Sequence, residues 1–477
     1  MGFCDLLIIA VYLAIIFGVG FYARKNVKSV SDFLTGGEGF GTFYLVGTIM
    51  ATLLGAGMLL SVVGAAFQYG SGMIWNYIGF SAGLALFAVL FAIPIRKTQK
   101  NTMAEIIADR FGRLPRFVAG ILAALYAFCI LAMGVMGMSR MLVYIFGDAL
   151  NSDIATVIAM VVSIVLTAMG GLYSVVWTDT MQFLLMLTVV LVLSPLMILR
   201  HASVSEVNVA LMSVGGSLLN PVKNVPISYI LMGLTTMCIS VPGDPTVPQR
   251  TLAGKNDRMV KNAFLICAVL ALVFGGVLAF VGGGAVALLP DIVQTHGTTE
   301  AAYPMLIIRY FPPIIKGISI SALMAAVVST ATSMLLVGTT HLIYDVGRSL
   351  CPNVRIETLQ KMMPMSIVIF GGFTTWCSMS MESIASVLYL AFSLSGAAFF
   401  IPMFCVLYWK KVSKWGVTMG MLSGALYVLA VQFLQIRTLG GDSVYVGLIL
   451  SLVMTVGCSL LFPEKVKQCD EKHAERM

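Results

Sequence analysis

Residues 170–182 read GGLYSVVWTDTMQ and place one acidic side chain, Asp179, at the start of a long apolar run. No other charged residue occurs from position 180 to 199, and a helix of that length crosses the hydrocarbon core of a bilayer. Trp177 is typical of the membrane–water interface. A carboxylate at this depth is a functional candidate. The alternative is a helix N-terminal carboxylate that the helix dipole stabilises.

The composition around this stretch excludes most soluble classes of protein. The chain has 477 residues, of which 59% are hydrophobic and 10% are charged. A soluble domain has about 25% charged residues, so this chain has too little polar surface for a cytosolic enzyme, a secreted disulfide scaffold or a disordered segment. The 46 glycines and 31 methionines fit close contacts between membrane helices.

Apolar segments and basic clusters together predict an all-α integral membrane protein with about 13 transmembrane helices. Asp5 lies at the start of the first apolar segment and Arg24 follows it, which favours an external N-terminus, and thirteen spans then place the C-terminus inside. Alternating from there, 23 of the 29 Lys and Arg residues fall on the inner side. The net charge of +8 is therefore interpreted as a signal for orientation in a plasma membrane and not for nucleic-acid binding. The lipid bilayer is the predicted partner, and no obligate protein partner is indicated. The predicted spans are 3–23, 42–68, 72–95, 116–147, 153–172, 175–199, 226–243, 262–289, 316–344, 361–379, 383–408, 415–435 and 443–462.

The second predicted span contains a glycine-rich interruption, MATLLGAGM at positions 50–58. Gly55 and Gly57 weaken a helix and permit a break in it. An unwound turn in the middle of a membrane frees carbonyl oxygens that can bind a cation. The alternative is a face of small residues that packs against another helix.

The ninth predicted span carries a cluster of hydroxyl groups in the sequence AAVVSTATSM at positions 325–334. Ala326, Ser329, Thr330 and Ser333 have helical spacing and therefore share one face. Hydroxyl and carbonyl oxygens suit a hard cation. The alternative is that each hydroxyl bonds a carbonyl of its own helix.

Two motifs give the chain a resemblance to a known family. The segment 170–182 and the loop QRTLAGK at 249–255 resemble the sodium:solute symporter family, which includes sugar, proline, sialic acid and pantothenate carriers. The resemblance implies a LeuT-type architecture with two inverted five-helix repeats and flanking helices. It divides the chain into a first transmembrane helix with its inner loop (1–40), a ten-helix core (41–410, with repeats at about 41–200 and 226–410), two additional transmembrane helices (411–463) and a cytoplasmic tail (464–477).

The resemblance also implies which residues bind Na⁺. The main site would use backbone carbonyls from the glycine-interrupted second span and from the hydroxyl-bearing ninth span. Two side-chain hydroxyls of the ninth span would complete it. A second site, present in some members, would lie beside Asp179. The implied residues are Ala51, Leu54, Ala326, Ser329 and Thr330 for the main site, and Asp179, Ser329, Thr332 and Ser333 for the second.

The solute is less determined than the ion. Leu53 stands where proline carriers of the family have an aspartate, which counts against proline. The guanidinium of Arg140 matches a carboxylate, so a small organic anion is one hypothesis. Its alternative is an ion pair of Arg140 with Asp148 or Glu382, or an arginine that extends to the headgroups. The predicted solute-contacting residues are Gly55, Ala56, Gly57, Met58, Met133, Arg140, Thr236 and Tyr389.

We therefore predict a sodium-coupled symporter that imports a small organic solute by alternating access. Proton coupling through Asp179 is one alternative, and a transporter-like solute sensor is another. An enzyme is not expected, because neither HExxH nor GxSxG occurs on a predicted span.

Overall fold

The computed structural model describes residues 2–24, 36–147, 150–434 and 443–463. The predicted tail 464–477 and most of the predicted inner loop before position 40 lie outside the described residues. Within them the chain is helical, with isolated β-bridges such as that between Phe40 and Gly254. The helices are α1 (Phe3–Arg24), α2 (Thr42–Leu53), α3 (Ala56–Gly64), α4 (Ala66–Tyr69), α5 (Ile74–Leu86), α6 (Ala92–Thr98), α7 (Met103–Phe111), α8 (Arg113–Phe146), α9 (Ser152–Thr188), α10 (Ser194–Leu199), α11 (Val204–Val214), α12 (Ile227–Gly243), α13 (Val247–Ala253), α14 (Asp257–Leu288), α15 (Ile292–His296), α16 (Ala302–Tyr310), α17 (Ile315–Thr340), α18 (Arg348–Leu350), α19 (Ile356–Ser378), α20 (Ile384–Tyr408), α21 (Lys414–Leu434) and α22 (Ser443–Leu461).

Several neighbouring helices are continuous through short π-helical segments. These segments join α5 to α6, α9 to α10 and α17 to α18, and they are Phe87–Phe91, Val189–Leu193 and His341–Gly347. Each joined pair therefore forms one long rod with a local widening of the helix.

By the criteria of length and composition, fewer helices qualify as membrane spans than the thirteen that the sequence predicts. Among the described residues, nine helices are long and apolar enough to cross a membrane, and the bent pair α2 and α3–α4 makes a tenth. Shorter apolar helices lie at Ser152–Ala168, Val204–Val214 and Ile227–Gly243. The count of thirteen and the orientation stay predictions.

A glycine separates the fifth and sixth predicted spans within α9. Gly171 has a φ of 56°, in the left-handed region that favours glycine. The apolar segments on its two sides are Ser152–Ala168 and Gly171–Leu199. The interruption falls close to the predicted boundary between 172 and 175, and Asp179 follows it eight residues further on.

Helix α17 is the centre of the bundle. Its apolar window is buried along its whole length, and it packs against α1, α2, α8, α9 and α19. A helix that is enclosed on every side must satisfy its hydroxyls inside the protein, because neither water nor lipid reaches them. The Ser and Thr residues of α17 therefore lie where several helices meet.

Two of the short helices begin with side-chain caps. Helix α7 begins with a side-chain cap, in which Thr102 Oγ1 accepts a hydrogen bond from the Glu105 N–H at 3.0 Å. Helix α11 begins with a reciprocal capping box between Ser203 and Glu206. Sequence analysis does not predict α11 or α13, because both are too short to give a strong hydropathy signal.

Candidate cation and solute site

The second predicted span is broken at the glycine-rich stretch. Helix α2 ends at Leu53, Gly55 is extended with φ −62° and ψ −173°, and α3 begins at Ala56. The two halves are bent by 51° relative to each other. A Cβ on Gly55 would overlap the hydroxyl of Thr330, so only glycine lets α17 approach this closely. The break frees the last carbonyls of α2 toward α17.

Two hydroxyls of α17 face those carbonyls. Ser329 Oγ donates to the Ala51 carbonyl at 2.8 Å, and Thr330 Oγ1 lies 3.2 Å from the Thr52 carbonyl. Both hydroxyls also lie near the Ala326 carbonyl, at 3.1 and 3.0 Å. The result is a compact group of carbonyl and hydroxyl oxygens without a carboxylate, buried between the broken helix and α17.

This group unites four of the five residues predicted for the main sodium site. Leu54, the fifth, is fully buried at the break itself, directly before Gly55. The hydroxyls lie within hydrogen-bond distance of carbonyls of their own helix and of the opposite helix at the same time. Their role as cation ligands stays a prediction. Their lone pairs and the shared carbonyls are the kind of ligand that hard cations take.

Asp179 is joined to the same region by hydroxyl groups. Its Oδ2 accepts from Thr48 Oγ1 at 2.7 Å and from Thr52 Oγ1 at 3.3 Å. Thr52 in turn lies 3.1 Å from Ser333 Oγ. Of the residues predicted for a second sodium site, Asp179 and Ser333 thus share a neighbour, while the Thr332 hydroxyl donates to the Ser329 carbonyl of its own helix at 3.0 Å.

Arg250 is a buried charged side chain beside these residues that sequence analysis does not predict. It lies on α13, is 1% exposed, and donates from Nη2 to Thr52 Oγ1 at 2.5 Å and to Ser333 Oγ at 2.8 Å. The same nitrogen is 4.0 Å from Asp179 Oδ2. The Gln-Arg motif supported the family resemblance, but its sequence position gives no sign that the guanidinium enters the helix bundle.

A small cavity lies beside the break. Its space is about 10 Å³, the room that one water molecule needs. Three residues predicted to contact solute line it, Gly55, Met58 and Met133, and a Cβ on Gly57 would touch Met133. The polar side chains that line it are hydroxyls, and the complete lining is Thr52, Leu53, Gly55, Met58, Tyr126, Ile130, Met133, Thr330, Met334, Leu388 and Phe392.

Tyr389 and Thr236, which are also predicted to contact solute, are not among the residues of this lining. Tyr389 donates to Asn76 Oδ1 at 3.0 Å, and Thr236 is buried on α12. The side chain of Ala56 lies outside the described residues. The contacts of these three residues with solute stay predictions.

Arg140 lies in an ion pair with the segment between α15 and α16. Its guanidinium donates to Glu300 Oε2 and to the Glu382 carbonyl. The other oxygen of Glu300 accepts from the Ala385 N–H at 2.9 Å. The pair therefore connects α8 to the start of α20 through Glu300, a partner that sequence analysis does not name. Asp148, one of the partners that it does name, lies outside the described residues.

Comparison with known proteins identifies the family. Residues 33–424 match the model of the sodium:solute symporter family. The chain belongs to this family. As a symporter it is a multi-pass plasma-membrane transporter and not an enzyme, and the family supports sodium as the coupling ion.

Curated relatives of this symporter match along most of its length. The high-affinity proline transporter PutP of Bacillus subtilis is 26% identical over 430 residues, covering 86% of this chain and 88% of the relative. The sodium/pantothenate symporter of Escherichia coli is 27% identical over 460 residues, covering 93% of each chain. The relatives therefore carry different solutes, and neither identity is high enough to transfer one.

Solved structures place the symporter in the LeuT-type fold. A substrate-bound, outward-open Na⁺-coupled sialic acid symporter matches with a TM-score of 0.81 at 20% identity, over 98% of this chain and 99% of the other. Mhp1, a nucleobase-cation-symport-1 family transporter, matches with a TM-score of 0.58 at 11% identity, over 94% of this chain and all of the other. At these identities the likeness concerns the fold.

Proposed function

We propose that this symporter imports a small organic solute together with a sodium ion held between α2 and α17. The carbonyls of Ala51 and Ala326 and the hydroxyls of Ser329 and Thr330 would be its ligands, with Leu54 completing the site at the break. The observation that carries the proposal is the 2.8 Å approach of Ser329 Oγ to the Ala51 carbonyl across the break. This contact joins α17 to α2 at the break, where the last carbonyls of α2 are free of their own helix.

Coupling follows from the shared residues of the two sites. Thr330 bonds the main cation group and also lines the cavity, and Gly55 lies between them. A sodium ion that bridges α2 and α17 would fix the cavity wall, and its departure would loosen that wall. A ligand set without a carboxylate binds weakly enough to release the ion in each cycle. A charge that moves across about 100 mV contributes about 2.3 kcal/mol to the cycle.

The cavity supports a solute with a substantial apolar part. Its wall is made of aliphatic, aromatic and thioether side chains with hydroxyls from Thr52, Tyr126 and Thr330. Because the space fits one water molecule, a solute must displace flexible side chains, and Met58 and Met133 are suited to that adjustment. An organic anion bound by Arg140 is the alternative, and it would have to compete with Glu300.

The sodium site is tested by removing its two hydroxyls. We expect wild-type protein to melt at a higher temperature in NaCl than in choline chloride of equal ionic strength, and we expect Ser329→Ala with Thr330→Ala to lose that difference. Ser321→Ala is the matched control, because this buried hydroxyl of α17 bonds the Gly317 carbonyl of its own helix at 2.8 Å. A sodium-specific shift that persists in the double variant would refute the assignment.

The solute is tested by a thermal-shift screen of organic acids, amino acids and sugars with and without sodium. The proposal expects a hit whose stabilisation requires sodium, since the ion completes the cavity wall. Hits that are equally strong in choline would contradict coupling through this site.

Proton coupling is the second candidate, and one observation favours it. Asp179 is fully buried, and its Oδ1 has no hydrogen-bond partner among the described residues. Such an oxygen can take a proton. Uptake that follows pH and ignores sodium would select this mechanism over the first.

A further inference from the structure

The wall of the cavity continues along α8 to Arg140. The lining residues of this helix are Tyr126, Ile130 and Met133, and they follow helical spacing. Arg140 lies two turns after Met133 and therefore on the same face, about 10 Å further along the helix. Arg140 thus belongs to the face of α8 that borders the cavity.

The wall also continues along α20 toward its first turn. Leu388 and Phe392 line the cavity, and Ala385 precedes them on the same face of the helix. Since α20 begins at Ile384, the Ala385 N–H is one of the donors that no carbonyl of this helix can satisfy. This end of the wall therefore offers a backbone donor to a group outside the helix.

The carboxylate of Glu300 takes the donors of both helices. One oxygen accepts from the guanidinium of Arg140, and the other accepts from the Ala385 N–H at 2.9 Å. A guanidinium and an N–H at a helix N-terminus are groups that proteins use to bind anions. A side chain of the protein itself therefore occupies the place that the carboxylate of a solute would take.

Glu300 is held in this place by its own segment. Its side chain is 6% exposed. The preceding residue, Thr299, packs so closely against α3 that a Cβ on Gly64 would lie 2.9 Å from the Thr299 carbonyl. On α8 the ring of Tyr144 contacts His296 edge-on, with 5.5 Å between the ring centroids. A solute carboxylate could displace Glu300 only by leaving a buried charge without its partner, which is costly.

The lining of the cavity adds no charged group to this pair. Among the described residues, those that line the cavity include no Asp, Glu, Lys, Arg or His. The polar side chains of the lining carry the hydroxyls of Thr52, Tyr126 and Thr330, which can hydrogen-bond an uncharged polar group. The arrangement therefore favours a solute that does not need Arg140.

We propose that Glu300 is a built-in carboxylate that saturates Arg140, so that the symporter rejects organic anions and takes a solute of no net charge. The inference rests on the proposed sodium-coupled function and names the solute class of the same cavity. Glu300 is then a specificity-determining residue, and it acts by excluding the wrong solutes.

The test compares phenylacetate with phenylacetamide, its uncharged analogue of similar shape, as ligands of purified, full-length protein. Each compound is titrated in thermal melts at constant sodium concentration and ionic strength. In wild type we expect phenylacetate to stabilise the protein no more than phenylacetamide does. In Glu300→Gln, which leaves the guanidinium without its carboxylate, the half-saturating concentration of phenylacetate should fall by about 10-fold or more.

Two further variants show whether the gain comes from the vacated guanidinium. Glu300→Gln combined with Arg140→Gln should lose the gain, because the cation that binds the anion is gone. Glu382→Gln is the matched control. It removes an exposed negative charge near the start of α20 and keeps the Glu382 carbonyl that accepts from Arg140, so it should behave as wild type.

Several results would overturn the inference. Phenylacetate that stabilises wild type more than phenylacetamide does would overturn it, as would no gain in folded Glu300→Gln or an equal gain in Glu382→Gln. If Glu300→Gln is unstable, phenylacetate and not phenylacetamide must raise its melting temperature, and no such recovery counts against the inference. Wild type that shows no sodium-specific stabilisation would instead refute the proposed function, so the two failures are distinguishable.

Discussion

Replacement of Thr330 by valine tests the ion site at a single oxygen. Valine has the shape of threonine and lacks the hydroxyl, so the wall of the cavity keeps its volume. In the structure Thr330 Oγ1 lies 3.0 Å from the Ala326 carbonyl and 3.2 Å from the Thr52 carbonyl. The substitution therefore removes one proposed ligand and leaves the two carbonyls in place.

The expected loss can be estimated from the chemistry of that oxygen. A polar contact with a charged partner contributes about 1.5–3 kcal/mol. Since each 1.4 kcal/mol is a factor of ten, sodium affinity should fall by about 10- to 150-fold. The local bond to Ala326 is also lost, at a cost to folding stability of about 1 kcal/mol.

The assay is a sodium titration of the melting temperature at constant ionic strength. Thr340→Val is the matched control, because Thr340 is buried on the same helix and its hydroxyl bonds the Leu336 carbonyl at 2.7 Å. The control should lose stability without a change in the half-saturating sodium concentration. If Thr330→Val gives a half-saturating concentration within threefold of the control, Thr330 is not a sodium ligand.

Three further substitutions separate the parts of the site. Gly55→Ala should abolish sodium-dependent stabilisation, because the added methyl group would overlap the Thr330 hydroxyl. Gly134→Ala is the control and should keep this stabilisation, because its Cβ would make only ordinary contacts with α17. Equal effects of the two substitutions would disprove a specific role of Gly55. Arg140→Gln should leave the KM for the best solute unchanged in uptake assays, because Glu300 engages the guanidinium; a large rise in KM would return Arg140 to the solute site. Tyr126→Phe should lower stability by about 1.5–3 kcal/mol in thermal melts, because buried Asp244 loses a donor at 2.7 Å, and an unchanged melting temperature would show that the bond contributes little.

The parts of the site that follow from local spacing can be predicted from the sequence. Gly55 interrupts an apolar run, and the weakening of a helix by glycine is a local property. Ser329 and Thr330 share a helix face by their spacing alone. The observed break and the hydroxyl group facing it agree with those predictions, because both depend on residues a few positions apart.

Other parts of the site depend on which helices pack together, and local sequence patterns do not show this. Arg250 reaches Ser333 and Thr52 only because α13 is attached beside α2. The partner of Arg140 is Glu300, 160 positions away in the sequence. Periodicity and cost of burial identify candidate residues, whereas their partners require the assembled bundle.

The most direct test of the central claim is solute uptake into proteoliposomes driven by a sodium gradient, compared between wild type and the variant with Ser329→Ala and Thr330→Ala. The account predicts accumulation against the solute gradient in wild type and none in the double variant, with Ser321→Ala behaving as wild type. Accumulation at the wild-type rate and with the same cation preference in the double variant would contradict it.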